Sequence, residues 1–445
     1  MRHVASPYSD AGATAPIVQA PRLTRPASIR LVALVLVALF ATSAVRISTA
    51  RLSPYPSVSL EGVGELAPAL NTELRWLLLS AHPSGALALT PDRQRVIPYF
   101  SNLSMLALVN RVPTVVAMYV DWYLASLNMP DRWGMYGTIY DYRVHGQDLI
   151  STRNYDSADS YAATFLTLIR RYVEATGDSE FARRRMNRID VVAQVIISLQ
   201  DKDGLVRVKP RDSTKYLMDN AEAFRGLEDW AVVLDSIGEK EAAGWYHDRA
   251  ARVAAAVEYR MWDEKTGAYA WRIDRVDHAS MPAWRKWYPD AVSQLYPVVN
   301  GLISPSSARA RMLYEKFNRS FPYWPDVERR PGFPWGMVAW AATVMGDYGR
   351  ALEFIRSSTS QFVENGGPQP WYCLESAMYI AVVDRMVALS RGGSQGERQG
   401  DGPGGGLVDE PSSGAARGGT GSPPSLSTPA APALPSRYTR RSEAP

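Results

Sequence analysis

Apolar positions recur at helical spacing between residues 67 and 390. They predict twelve helices, at 67–79, 98–109, 113–127, 156–174, 179–199, 217–236, 239–261, 290–302, 306–318, 334–346, 348–363 and 371–390. From the fifth onward, the odd-numbered helices have one charged face. In 179–199, Phe181, Ile189, Val192 and Leu199 oppose Arg183, Arg184, Arg185 and Arg188. In 239–261, Trp245, Tyr246, Val253 and Val257 oppose Glu241, Asp248, Arg249 and Arg252. The even-numbered helices are apolar nearly all round. Segment 156–174 runs Tyr161, Phe165, Leu168, Ile169, Tyr172, with Ala162, Leu166 and Val173 on its other faces; 290–302 has no charge after Asp290, and 371–383 has only Glu375. The first kind keeps one face in water, and the second belongs inside. Outer and inner rods joined in pairs are what six helical hairpins in a ring require, so the expected fold is an all-α (α/α)6 barrel.

Links from inner to outer helices are short, at 110–112, 177–178 and 237–238. Links from outer to inner helices are long, at 80–97, 128–155, 200–216, 262–289 and 319–333. Long ordered loops usually carry function. In a ring of antiparallel pairs they gather at one end, beside the N-termini of the inner helices. Segments 137–143 and 267–273 read as short strands within them.

The openings of the inner helices share a composition: Tyr155-Asp156-Ser157-Ala158-Asp159, then Tyr216 followed by Asp219-Asn220-Ala221-Glu222, then Trp287-Tyr288-Pro289-Asp290, Phe333-Pro334-Trp335 and Trp371-Tyr372-Cys373-Leu374-Glu375. Each acid has a plain structural reading. Asp156, Asp159 and Asp290 fit N-caps, and Asp219 with Glu222 fits a variant capping box. Glu375 is the only charge in an apolar run, where a lone carboxylate is costly unless paired or neutralised. If the ring closes, these acids converge on one cleft. Crowding and desolvation raise some pKa values while helix N-termini lower others, which sets a protonated carboxyl beside an ionised one. Glycosidic bond cleavage needs that pair. The candidate catalytic residues are Asp156, Asp159, Glu222, Asp290 and Glu375. Candidate substrate contacts are Tyr155, Asp219, Trp287, Tyr288, Trp335, Trp371 and Tyr372.

Composition narrows the class. The 13 Trp and 23 Tyr suit flat amphipathic ligands such as sugars. A net charge of +4 over 445 residues, with no basic stripe, speaks against a nucleic-acid binder. The single cysteine, Cys373, excludes an intramolecular disulfide and reads as a core residue. The five His residues show no metal-ligand spacing, and no Gly-rich phosphate loop follows a strand, so no metal or cofactor is expected. Asp201-Lys202-Asp203-Gly204 lacks the downstream Glu of a calcium loop and reads as a surface turn.

The stretch from Asp156 to Gly177, Asp219-Asn220-Ala221-Glu222, the run from Trp287 to Pro297, and Trp371-Tyr372-Cys373-Leu374-Glu375 together resemble the six-hairpin glycosidase superfamily, the (α/α)6 barrel of glucoamylases and of glycoside hydrolase family eight. The resemblance covers about residues 60–390. It implies hydrolysis of a poly- or oligosaccharide, commonly with inversion and without a metal. Asp156 and Asp159 look like the Asp-rich motif that family eight places beside the sugar. The first inner helix opens with Ser101-Asn102 where family eight carries an acid. Glu222 and Glu375 then remain candidates for the general acid, and Asp156, Asp159 and Asp290 for the base and sugar-positioning roles.

The uncharged run 31–45, preceded by Arg2, Arg22, Arg25 and Arg30, reads as a signal peptide or signal anchor within residues 1–50, so the domain at 51–390 is expected to be exported. That run could also hold the protein at the membrane. Residues 391–445, rich in Gly, Pro and Ser, read as a disordered tail. Two other functions stay open: a polysaccharide lyase using His145, and an inactive sugar-binding or envelope-assembly protein on the same ring. The sequence does not specify an oligomeric state.

Overall fold

The computed structural model describes residues 63–274, 276–329 and 333–396. The predicted signal segment and all but the first residues of the predicted tail lie outside them. Among the described residues, no helix is long and apolar enough to cross a membrane.

Among those residues, twelve α-helices alternate between an outer and an inner layer. The outer ones are α1 (Ala67–Ser80), α3 (Pro113–Ala125), α5 (Ser179–Leu199), α7 (Lys240–Met261), α9 (Ala308–Ser320) and α11 (Tyr348–Ser358). The inner ones are α2 (Pro98–Leu108), α4 (Ala158–Thr176), α6 (Leu217–Ser236), the short α8 (Tyr296–Val299), α10 (Gly336–Met345) and α12 (Cys373–Gly396). Inner neighbours touch all the way round. Asn102 of α2 donates to the Tyr161 carbonyl and to Thr164 of α4. Gly226 of α6 lies flat against Ala163 of α4. Helix α8 packs on both α6 and α10. The Gly336 amide of α10 donates to Glu375 of α12, and the Cys373 thiol of α12 meets Ser104 of α2, which closes the ring. The fold is the expected all-α (α/α)6 barrel.

Two hairpins reverse on the dipeptide Gly-Asp. Gly177 and Gly346 adopt positive φ (70° and 81°), which ends α4 and α10 at little steric cost. Asp178 and Asp347 then accept the Phe181 and Arg350 amides as N-caps of α5 and α11.

The long loops at the opposite end hold short antiparallel strands. Strands β1 (Arg95–Val96), β2 (Tyr142–His145) and β3 (Asp148–Ser151) form one sheet. Strand β4 (Lys215–Tyr216) pairs with β7 (Arg272–Ile273), which pairs with β8 (Ala279–Ser280), while β5 (Trp262–Asp263) pairs with β6 (Ala268–Tyr269).

Four expectations need correcting. The helix expected over 290–302 is broken. Trp287–Ala291 forms a π turn in which Tyr288 is extended, and only Tyr296–Val299 is α-helical. Pro289 and Pro297 supply no amide there, and Gln294 is held to strand β6 by two bonds with the Tyr269 backbone. The strand expected over 137–143 starts only at Tyr142, because Gly137 at φ 86° and an Asn128–Thr138 side-chain bond fold the segment before it into a turn. The strand expected over 267–273 divides into β6 and β7. At the C-terminal end, α12 runs to Gly396, past the boundary drawn at 390.

Candidate active site

Helices α4 and α6 enter the core side by side, and their first turns bring four acids together. Asp159 is fully buried, Asp219 and Glu222 are nearly so, and Asp156 is exposed at the mouth. The Ser157 hydroxyl lies 3.1 Å from Asp159 Oδ1 and 2.9 Å from Asp219 Oδ2. One hydroxyl has one proton to give, so bonds to both carboxyls require one of them to be protonated and to donate in return. Burial, and then the charge of Asp219, raises the Asp159 pKa well above its ordinary value, which favours the proton on Asp159. Burial raises Asp219 to about 6, opposed by the Ser157 bond.

Burial, followed by the charge of Asp219, pushes Glu222 up to about 8. Its Oε1 accepts the Tyr99 hydroxyl at 2.7 Å. A fifth acid, Asp141, comes from the loop before β2. Burial raises it to about 6, against the Tyr161 hydroxyl that it accepts at 2.9 Å. At neutral pH the cluster therefore holds protons on Asp159 and Glu222, beside Asp141 and Asp219, which are largely ionised.

These shifts set a stability trend. Glu222, Asp219 and Asp141 have folded pKa values raised above their ordinary ones, so the folded state binds more protons between about pH 4 and pH 8. Their contribution is fully present below the ordinary carboxylate pKa and is lost as pH rises through the folded values. The melting temperature is expected to fall between pH 5 and pH 8, with Glu222→Gln making that fall shallower. Calorimetry across that range checks it.

Two groups of aromatic rings adjoin the acids. Tyr288, half-exposed, tilts against Trp335 at 4.7 Å between centroids; Trp335 meets Phe333 at 5.4 Å, and Phe333 stacks on Tyr372 at 5.9 Å. Desolvation and the nearby Asp219 and Asp156 raise the Tyr288 hydroxyl to about 12. In the second group Tyr216 stacks on Trp271 at 6.1 Å, and Tyr216 also feels Asp219 and Asp156.

The remaining candidates are engaged by other partners. Asp290 is buried; it accepts the Ala283 amide at 2.9 Å and pairs with Lys286 at 3.2 Å, anchoring the loop before α8. Glu375 accepts the Gly336 amide at the N-terminus of α10. Tyr155 is buried, with its hydroxyl donating to Asp131 at 2.6 Å. Trp287 packs on Phe317 and Phe321, facing the outer helix α9. Trp371 is fully buried, stacked on Phe362 and donating to Glu73 of α1 at 2.9 Å. Trp371→Phe removes the indole donor from that buried acid, and a loss of about 1–3 kcal/mol is expected by chemical denaturation.

Tyr99, Asp141, Tyr161 and Trp271 belong to the site although no helix-opening pattern marks them. Ser101 and Asn102, which stand where an acid would be expected, point into the core, where Ser101 donates to the Leu87 carbonyl. The residue that α2 contributes to the cluster is Tyr99. Asp201 and Asp203 are both paired with Lys215, at 3.0 and 2.7 Å, consistent with a surface turn. His145 stands exposed at the end of β2. Among the described residues no group of His, Cys, Asp and Glu is arranged to hold a metal.

No family model and no curated protein matches the chain. Solved structures do match. A wild-type glycosidase superposes with a TM-score of 0.55 at 14% identity, covering 75% of this chain and 99% of that one. A rhamnosidase from Klebsiella oxytoca with rhamnose bound gives 0.50 at 14% identity, covering 72% of this chain and 64% of that one. A GH78 family rhamnosidase from Bacillus sp. GL1 gives 0.50 at 13%, covering 70% of this chain but 34% of that one. The chain spans about a third of one rhamnosidase and under two thirds of the other. At these identities the likeness establishes a shared six-hairpin fold.

Proposed function

We propose that the protein is a glycoside hydrolase that cleaves a poly- or oligosaccharide with inversion. The observation that carries this reading is the convergence of Asp141, Asp156, Asp159, Asp219 and Glu222 at the mouth of the ring, beside two groups of aromatic rings. Glu222 is the general acid. It is protonated at neutral pH and gives its proton to the leaving oxygen as the bond to the sugar carbon breaks. Asp156, open to solvent, takes the proton of the attacking water on the opposite face. Ser157 couples Asp159 and Asp219, which position the sugar and the base. The rings of Tyr288 and Trp335, and of Tyr216 and Trp271, offer flat surfaces to sugar rings. The substrate is taken to lie outside the cytoplasm, on the strength of the apolar run at 31–45.

The test is release of reducing ends from a panel of glycans by the parent protein and by Asp156→Asn. The parent is expected to release them and Asp156→Asn to be slower by roughly 10²-fold or more. Proton NMR of the first-formed anomer is expected to show inversion. If the parent releases nothing from any glycan that it binds, the hydrolase reading fails and a sugar-binding role replaces it.

A further inference from the structure

Two cations lie over the Trp271 ring: Arg272, whose guanidinium carbon lies 4.6 Å from its centre, and Lys286, whose ammonium lies 5.8 Å from it. Lys286 already has a counter-charge in Asp290. Arg272 has none. Among the described residues it forms no ion pair, and its one hydrogen bond runs from Nε to the Ser280 hydroxyl at 3.3 Å. Its two terminal amino groups have no acceptor within hydrogen-bond reach among those residues.

The local backbone explains how this arginine is held. Tyr216, Arg272 and Ser280 sit opposite one another across β4, β7 and β8, so their side chains share one face of that sheet. The guanidinium lies over the Trp271 ring, and Ser280 takes Nε. The planar edge with its remaining N–H donors is left over, and that edge fits a carboxylate or a phosphate. Tyr216 connects the arginine to the acids, because it feels both Arg272 and Asp219.

Resting on the hydrolase reading, we infer that the subsite formed by Tyr216, Trp271 and Arg272 takes an anionic sugar unit, with its carboxylate or ester anion on the Arg272 edge. The acid cluster does not forbid an anion, since burial keeps protons on Asp159 and Glu222.

Titration of the full-length protein with D-glucuronate, D-galacturonate, glucose 6-phosphate, glucose 6-sulfate, D-glucose and D-galactose tests this, read by calorimetry and tryptophan fluorescence. At low ionic strength at least one anionic sugar is expected to bind roughly tenfold more tightly than its neutral counterpart. That preference should shrink with salt, be lost in Arg272→Gln and survive in part in Arg272→Lys, with melting curves confirming that both variants fold. A preference for the uronates identifies a carboxylate, and one for the 6-esters a phosphate or sulfate; either supports the subsite. Equal binding of neutral sugars, an anion preference that persists in Arg272→Gln, or no binding of any of the six overturns it. Hydrolysis of neutral glycans with no anion preference sinks the subsite and leaves the hydrolase; Arg272-dependent binding without hydrolysis does the reverse. With a cleaved anionic glycan, Arg272→Gln is expected to raise KM more than it lowers kcat.

Discussion

Glu222→Gln is expected to slow hydrolysis of an unactivated glycan by roughly 10²–10⁴-fold. Glutamine keeps the oxygen that accepts the Tyr99 hydroxyl, so the side chain retains its anchor and the change removes only the transferable proton. Two signatures separate loss of an acid from damage to the fold. A glycoside whose leaving group departs without protonation, such as a nitrophenol, should lose far less rate. The upper limb of the pH–rate profile should also disappear: in the parent, activity falls as pH rises through about 8, where Glu222 loses its proton, and the variant has no proton there to lose. Equal loss on activated and unactivated substrates would remove Glu222 from that role.

Gly226→Ala is expected to lower the melting temperature by roughly 5 °C, from an overpacking cost of about 1–3 kcal/mol. A Cβ there would stand 2.6 Å from the Cα and the carbonyl oxygen of Ala163, which are backbone atoms of the adjoining inner helix and cannot swing aside. The gain in helix propensity, about 1 kcal/mol, offsets only part of this. Gly244 provides the control. It is exposed on outer helix α7, and a Cβ added there would meet no atom within 4 Å, so Gly244→Ala should stabilise by about 0.5–1 kcal/mol. Because α4 and α6 carry the acids, forcing them apart also widens the cluster, so activity of Gly226→Ala measured well below its melting point should fall too. If both glycine variants melt like the parent, the close approach of the two helices is not what positions the acids.

The ring can be read from the sequence because burial alternates from helix to helix, and that alternation needs nothing beyond spacing and charge. Helices α5 and α6 begin and end where the pattern places them, since Asp178 and the extended Tyr216 backbone mark their starts sharply. Helix α8 is shorter than its pattern because an uncharged run looks helical even where two prolines and a side-chain bond to a neighbouring strand break it. In the site, Asp156, Asp159, Asp219 and Glu222 are legible as openings of buried helices. Asp290 and Glu375 have the same appearance, yet one clamps its own loop and the other caps a neighbouring helix. Trp371 and Tyr155 show the same limit: an aromatic at a helix opening can point outward or inward, and the partner that decides is distant in sequence, as Glu73 is for Trp371. Asp141, Tyr99 and Trp271 sit outside the repeated pattern, so only the packing of the long loops reveals them.

The tight Gly-Asp reversals lie at the far end of the barrel from the acids. Near the equivalent reversal between α6 and α7, Glu239 and Lys240 are exposed. Coupling the protein to a bead or a sensor chip through Lys240 would therefore present the mouth outward, leaving a long polymer free to reach it from bulk solution.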